Sequence, residues 1–156
     1  MRSTGRWKGA EGMFVVDTNI LVYAAEENYP EHEACRRRLL EWRGQKGAWY
    51  STWGILYEFL RVVTHPRVFR SPWSAAAAWS FVEGLLGSDG FTVLVETERH
   101  AEVVQEVLRD VPHLAGNMLH DAHTAVLMKE HGIRTIYTRD TDFHRFPFLD
   151  VRDPLA

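Results

Sequence analysis

The chain has 156 residues, of which 46% are hydrophobic, so it is long enough to form one domain with a buried core. Its 18 basic and 21 acidic side chains give a net charge of −3, which argues against a protein that binds nucleic acid by bulk positive charge. A single cysteine, Cys35, excludes an internal disulfide, and no apolar run approaches the roughly 20 residues needed to cross a bilayer, so we expect a cytoplasmic protein.

The first twelve residues are polar and lack the apolar segment of a secretory signal. We interpret residues 1–12 as a disordered leader and residues 13–156 as one domain. Met13 is an alternative start, and the sequence leaves open whether the leader is native.

Short apolar runs alternate with stretches of helical periodicity from residue 14 onward. Strands are predicted at 14–16, 48–51, 91–95 and 134–137, with a short final strand at 148–151. Helices are predicted at 17–26, 30–44, 56–63, 73–86, 98–111 and 117–132, the last capped by Asn117. Strands that alternate with helices favour right-handed crossovers and a parallel sheet covered on both faces. The predicted fold class is therefore α/β, a three-layer α/β/α domain with a central parallel sheet of four to five strands.

Two acidic positions follow predicted strands. Asp17 comes directly after the first strand, and Asp140 follows the fourth by two residues. Ligands of parallel sheets bind at the carboxyl ends of the strands, so both acids fall on the edge where a site is expected. Each acid also has an ordinary explanation, because Asp17 can cap the next helix, and Asp140 and Asp142 can be turn residues.

Two further acids lie among apolar residues of predicted helices. Glu58 stands between Tyr57 and Phe59, and Asp121 lies on an apolar helical stripe. A carboxylate on such a face needs an ionic partner or a metal to compensate its lost hydration. The alternative partners are Arg61, at i+3 from Glu58, and a distant arginine for Asp121.

Considered together, the four acids predict a cation site at one edge of the sheet. Gathered there without compensation they would repel one another, and a hard divalent cation would relieve the repulsion. Ligation by oxygen alone suits magnesium or manganese rather than zinc. Magnesium commonly completes its coordination with substrate phosphate, so the implied chemistry is phosphodiester hydrolysis by an activated water.

The run from Phe14 to Ala24 resembles the first strand and helix of the PIN-domain nuclease family, and within it the VapC-type toxins of toxin–antitoxin pairs. Glu58, Asp121 and Asp140 match the remaining acids of that family in order. The resemblance covers residues 13–154.

This resemblance implies a PIN-like fold and a metal-dependent endoribonuclease that uses Mg²⁺ or Mn²⁺. The implied catalytic acids are Asp17, Glu58, Asp121 and Asp140. The implied metal ligands are Asp17, Asp121, Asp140 and Asp142. Hydrogen-bonding support is expected from Thr18, Asn19 and Thr138. The implied partners are an RNA substrate, a cognate antitoxin and a second copy in a homodimer.

Other polar and aromatic residues have less specific signals. Arg67, Arg70 and Arg139 are predicted to contact phosphate if their loops border the active edge. No pair of histidines or cysteines has the spacing typical of a zinc site, so structural or solvated roles are expected for His120, His123 and His144. Core packing is favoured over a groove for a partner's helix at Trp42, Trp53, Trp73 and Trp79.

Three other functions remain open. The same nuclease chemistry could serve RNA maturation without a toxic role, or the fold could be a non-catalytic RNA- or protein-binding module. The four acids argue against the second of these. A phosphatase of the Asp-x-Asp type is weaker, because Thr18 and Asn19 follow Asp17 where a second aspartate is needed.

Overall fold

The computed structural model describes residues 13–156, so the predicted leader, residues 1–12, lies outside the described part of the chain. The strands are β1 (Phe14–Val16), β2 (Trp49–Thr52), β3 (Phe91–Leu94), β4 (Thr135–Tyr137) and β5 (Asp150–Arg152). The helices are α1 (Thr18–Ala25), α2 (His32–Gly44), α3 (Trp53–Val63), α4 (Ala75–Leu86), α5 (His100–Asp110) and α6 (Met118–Glu130). A 3₁₀ turn follows β4 at Thr141–Arg145.

The five strands form one sheet in the order β3-β2-β1-β4-β5, and every neighbouring pair is parallel. All three residues of the central strand β1 are buried, as expected for a strand covered by helices on both faces. The predicted α/β class, the three layers and the parallel sheet of up to five strands are confirmed.

Aromatic rings fill much of the core beside β1. The Phe14 ring lies 5.3 Å from the Trp42 ring and 5.0 Å from the Tyr137 ring, measured between centroids. Trp42 is therefore a core residue as predicted, whereas Trp53 and Trp79 keep 39% and 38% of their surface exposed and stack on each other. The preference for core packing is wrong for these two tryptophans, because Trp53 at the start of α3 and Trp79 on α4 stack on each other at the surface.

The residues at the beginnings of α3 and α6 differ in how they cap their helices. Thr52 ends β2 and caps α3, accepting a hydrogen bond from the Ile55 amide at 3.0 Å. Asn117 occupies the predicted N-cap position of α6, but its side chain makes no capping hydrogen bond. None of the helices within residues 13–156 combines the length and apolarity needed to cross a membrane.

Strand pairing brings the acids to one edge. The Asp17 amide donates to the Tyr137 carbonyl at 3.0 Å, which extends the β1–β4 ladder beyond both strands. Asp17 and Thr138, the residues that follow β1 and β4, are therefore side by side at the carboxyl end of the sheet.

Candidate functional site

An open cleft of about 1140 Å³ lies at the carboxyl edge of the sheet. Its walls come from α1, α3, α6 and the 3₁₀ turn after β4. All five acids singled out in the sequence line it, namely Asp17, Glu58, Asp121, Asp140 and Asp142. The structure thus gathers in one place residues that are up to 125 positions apart in the chain.

Asp17 is the most deeply buried of these acids, with 8% of its surface exposed. Its Oδ1 accepts from the Thr18 amide at 2.8 Å, so Asp17 does cap α1. Its Oδ2 accepts from the Thr138 hydroxyl at 2.8 Å and from Asn19 Nδ2 at 3.3 Å. Capping and membership of the acidic site are therefore not alternatives, because one carboxylate does both.

Thr138 is the centre of a small hydrogen-bond network. Besides donating to Asp17, its hydroxyl oxygen accepts from Asn19 Nδ2 at 3.0 Å and from the Asp140 amide at 2.9 Å. Thr18, in contrast, directs its hydroxyl to the Ile55 carbonyl at 3.2 Å and ties α1 to α3. The Asp17 and Asp140 positions are thus linked through one buried threonine, whereas the Thr18 hydroxyl contacts no carboxylate.

The tightest group of carboxylates consists of Asp121, Asp140 and Asp142. One oxygen from each lies within 4.8 Å of the other two. Asp140 Oδ1 also accepts from the Asp142 amide at 2.9 Å, which is the turn role that its position suggested. Asp142 has a cationic neighbour, since Arg145 Nη2 lies 3.4 Å from its Oδ1.

Glu58 is held differently from the other acids. Its two carboxylate oxygens accept from Arg61 Nε at 3.1 Å and Arg61 Nη2 at 2.6 Å. The i,i+3 ion pair that the sequence offered as an alternative is therefore present, although Glu58 still lines the cleft. Because both side chains are about half exposed, the pair is weak enough to open.

Burial and like charges make ionisation of two of these acids costly. Desolvation raises the pKa of Asp17 to about 6, with the Thr138 and Thr18 hydrogen bonds acting against it and the charges of Asp140 and Glu58 adding to it. Desolvation also raises the pKa of Asp121 to about 7, and the charges of Asp140, Asp17 and Asp142 add to that effect. The Arg61 hydrogen bonds hold the pKa of Glu58 below its usual value.

This donor set fits a divalent cation. Within residues 13–156, Asp17, Asp121 and Asp140 have no ion pair with an arginine, lysine or histidine. Close carboxylates without a cation repel one another, and the ligands they offer are exclusively oxygen, which hard divalent cations prefer. The acidic group can therefore hold a divalent ion.

Comparison with known proteins decides the family. A model described as PIN domain matches residues 14–149. Among relatives from Mycobacterium tuberculosis, Ribonuclease VapC43 is 35% identical over 143 residues, which cover 92% of this chain and 96% of that protein. Ribonuclease VapC48 is 30% identical over 140 residues, which cover 90% of this chain and 96% of that protein. The chain belongs to the PIN domain family.

A solved structure shares the PIN fold at lower identity. It is the crystal structure of VapBC2 from Rickettsia felis bound to a DNA fragment from their promoter, with a TM-score of 0.62 and 17% identity. The match covers 90% of this chain and 97% of that chain.

The arginines that border this PIN cleft differ from those singled out in the sequence. Neither Arg67 nor Arg139 lines it, and the Arg139 guanidinium pairs with Glu31 at 3.3 Å and Asp153 at 3.2 Å. Arg61 and Arg145 line it instead. Their only signal in the sequence is the i+3 spacing from Glu58 and Asp142, which also describes ordinary surface ion pairs.

Proposed function

We propose that this PIN domain protein is a divalent-metal-dependent endoribonuclease and the toxin of a toxin–antitoxin pair. The observation that carries the proposal is the group formed by Asp121, Asp140 and Asp142, with oxygens within 4.8 Å of one another, beside Asp17 in one cleft. The names of the relatives, which are ribonucleases similar over nearly the whole chain, support the reaction class.

Asp17, Asp121, Asp140 and Asp142 are the residues that would hold Mg²⁺ or Mn²⁺. When bound, such an ion neutralises charge on the phosphate oxygens and makes water more acidic. The protein contributes orientation, because Thr138 and Asn19 fix the Asp17 carboxylate and the Thr138 hydroxyl accepts from the Asp140 amide. Glu58 is the fourth catalytic acid of the proposal and becomes available when its pair with Arg61 opens.

In this proposal a few arginines at the cleft bind the phosphates of the RNA. The chain has a net charge of −3, so it lacks the general basic surface of many nucleic-acid-binding proteins. Arg61 and Arg145 stand on the wall of the cleft and can donate to phosphate oxygens once their carboxylate partners bind the cation. Contacts from Arg67 and Arg139 stay a prediction that salt-dependent RNA binding by alanine variants would test.

The toxin assignment implies a protein partner and a location in the cell. An antitoxin and a homodimer are expected, and the structural similarity to VapBC2 supports a protein partner. Tyr57 lines the cleft, Trp53 contacts Tyr57 and Trp79 stacks on Trp53, so the three exposed rings offer apolar surface to such a partner. A cytoplasmic location is expected because the RNA substrate is there.

RNA cleavage with and without divalent ions tests the proposal. Purified protein is incubated with total RNA in Mg²⁺, Mn²⁺ or EDTA, beside Asp17→Asn, Asp121→Asn and the control Asp89→Asn, which alters an exposed acid away from the cleft. We expect discrete cleavage products with Mg²⁺ or Mn²⁺ from wild type and the control only. Cleavage that persists in EDTA, or in both active-site variants, would refute the assignment.

A further inference from the structure

A second group of candidate metal ligands lies outside the carboxylate group. One ligand atom each from Glu96, His100 and His123 lies within 4.8 Å of the other two. The three residues come from separate elements, because Glu96 follows β3, His100 begins α5 and His123 belongs to α6. This separation explains why the sequence spacing gave no sign of a zinc site and why His123 was expected to be structural or solvated.

We propose that Glu96, His100 and His123 bind a Zn²⁺ ion. Two imidazoles and one carboxylate are a ligand set typical of zinc, whereas the neighbouring group of aspartates suits a hard cation. The two sites thus have different metal preferences although α6 contributes a residue to each, Asp121 to one and His123 to the other.

The distances require little rearrangement for an ion to enter. His123 Nε2 lies 2.9 Å from Glu96 Oε2, and the His100 and His123 ring centroids are 5.9 Å apart with the planes nearly perpendicular. Two ligand atoms at about 2.0–2.1 Å from a tetrahedral zinc ion are about 3.3 Å apart. A separation of the His123 and Glu96 side chains by a few tenths of an ångström therefore makes room, and the exposed Glu96 gives access from solvent.

A carboxylate behind His100 supports the assignment independently. Glu130 binds His100 Nδ1 and is itself fixed by the Thr97 amide at 2.8 Å and the Thr97 hydroxyl at 2.6 Å. Histidines that bind metals usually donate their other ring N–H to a carboxylate in this way, which sets the tautomer and the ring orientation. In His100 this arrangement leaves Nε2 as the nitrogen for the metal.

Zinc at this position would join three parts of the fold. It would tie the end of β3 and the start of α5 to α6, the helix that also carries Asp121 two residues before His123. The ion would act as a clamp that keeps α6, and with it one wall of the cleft, fixed against the edge of the sheet.

Metal binding by the full chain tests this inference without reference to RNA cleavage. Metal-free protein is titrated with Zn²⁺ by calorimetry and with Co²⁺ by visible absorption, which is intense in four- or five-coordinate sites and faint in octahedral ones. The variants are Glu96→Gln, His123→Gln and Glu130→Gln. The matched control is His131→Gln, an exposed histidine whose Nε2 lies 2.8 Å from the Val95 carbonyl oxygen and which is not one of the three proposed ligands.

We expect one equivalent of Zn²⁺ and an intense Co²⁺ spectrum in wild type and in His131→Gln. Zn²⁺ affinity should fall at least 30-fold in Glu96→Gln and His123→Gln, and by about 10- to 100-fold in Glu130→Gln. Asp121→Asn combined with Asp140→Asn should keep the intense Co²⁺ band. The proposal would be overturned if wild type lacked the intense Co²⁺ band. It would also be overturned if the band remained in His123→Gln and Glu96→Gln but disappeared in the double aspartate variant. Circular dichroism of each variant, with the exposed Glu96→Gln as the mildest change, separates loss of ligands from loss of fold.

Discussion

Asp121 has an ionisation cost that the nearby charge of Arg145 offsets only in part. Its pKa is raised to about 7 by desolvation and by Asp140, Asp17 and Asp142. The folded state therefore holds a proton that the unfolded chain has released, so the free energy of unfolding falls as pH rises from about 4 to about 7. A metal-free protein that is less stable at pH 8 than at pH 5 is the expected consequence.

Asp121→Asn should remove this contribution while it abolishes activity. Above pH 7 we expect the metal-free variant to be more stable than wild type by on the order of 1 kcal/mol, after allowance for partial exposure, or about 2–4 °C in Tm. The difference should vanish near pH 4, where both side chains are neutral. Thermal unfolding in EDTA between pH 4 and pH 8 measures it, and a variant that is less stable than wild type at pH 8 would contradict it.

Thr138 has a positioning role that can be separated from a packing role. Its hydroxyl lowers the pKa of Asp17, so Thr138→Val should raise that pKa above about 6 by roughly 1–2 units, the equivalent of one hydrogen bond to a charged group. We expect the acid limb of the pH profile of metal-dependent RNA cleavage to move up by about that amount. Thr138→Ser should restore the profile, and Thr92→Val, at an exposed position of β3, should not change it. An unshifted profile in Thr138→Val would exclude this role.

Helix α3 carries both Glu58 and its ionic partner Arg61. Glu58 and Arg61 form their pair within a single helical turn, with 45% and 59% of their side chains exposed. An exposed pair contributes roughly 0–1 kcal/mol, so Arg61→Gln should hardly change the unfolding free energy. Without RNA, however, Mn²⁺ affinity should rise by up to about five-fold, the equivalent of ~1 kcal/mol, because the positive charge of Arg61 on the wall of the cleft is removed and no longer offsets the charge of Glu58.

The matched control for this change is Arg99→Gln, at the residue that precedes α5. Arg99 forms the same i,i+3 pair with Glu102 but does not line the cleft. Its substitution should leave Mn²⁺ affinity as in wild type. Weaker Mn²⁺ binding by Arg61→Gln than by Arg99→Gln would contradict this expectation.

Elements with a strong local pattern were predictable from the sequence. The apolar run before Asp17 and the apolar run before Thr138 indicated buried strands, and their ends fixed where Asp17 and Asp140 would be placed. The cap of α6 was not predictable in this way, because Asn117 has a helical backbone and leaves its side chain unused. Local propensity favoured a cap there, but the Met118 and Leu119 amides already donate to the Ala115 and Gly116 carbonyls.

At the scale of the whole molecule, the order of the strands gathers the site. Because β1 and β4 are neighbours in the sheet although more than 100 residues apart, their carboxyl ends place Asp17 beside Thr138, next to Asp140. Periodicity and the position of the acids predicted this convergence in outline, and the resemblance to the PIN family supplied its order.

What the sequence could not predict depends on side-chain geometry between elements. The exclusion of Arg139 from the cleft results from its pairs with Glu31 and Asp153, which are distant in sequence. The grouping of His100 with His123 likewise depends on how α5 packs against α6. Such contacts have no periodic signal, so only a three-dimensional structure reveals them.

In the proposed function, the aspartates of the cleft hold a divalent cation. The most direct test is a Mn²⁺ titration at pH 8, where Asp17 and Asp121 are ionised, with free Mn²⁺ followed by electron paramagnetic resonance. Wild type is compared with Asp121→Asn combined with Asp140→Asn, and with the charge-matched control Asp89→Asn combined with Asp110→Asn. We predict that the control binds like wild type and that the active-site variant binds at least roughly 100-fold more weakly, because carboxylate charge sets affinity for hard cations. Equal Mn²⁺ affinity in all three proteins would contradict the claim.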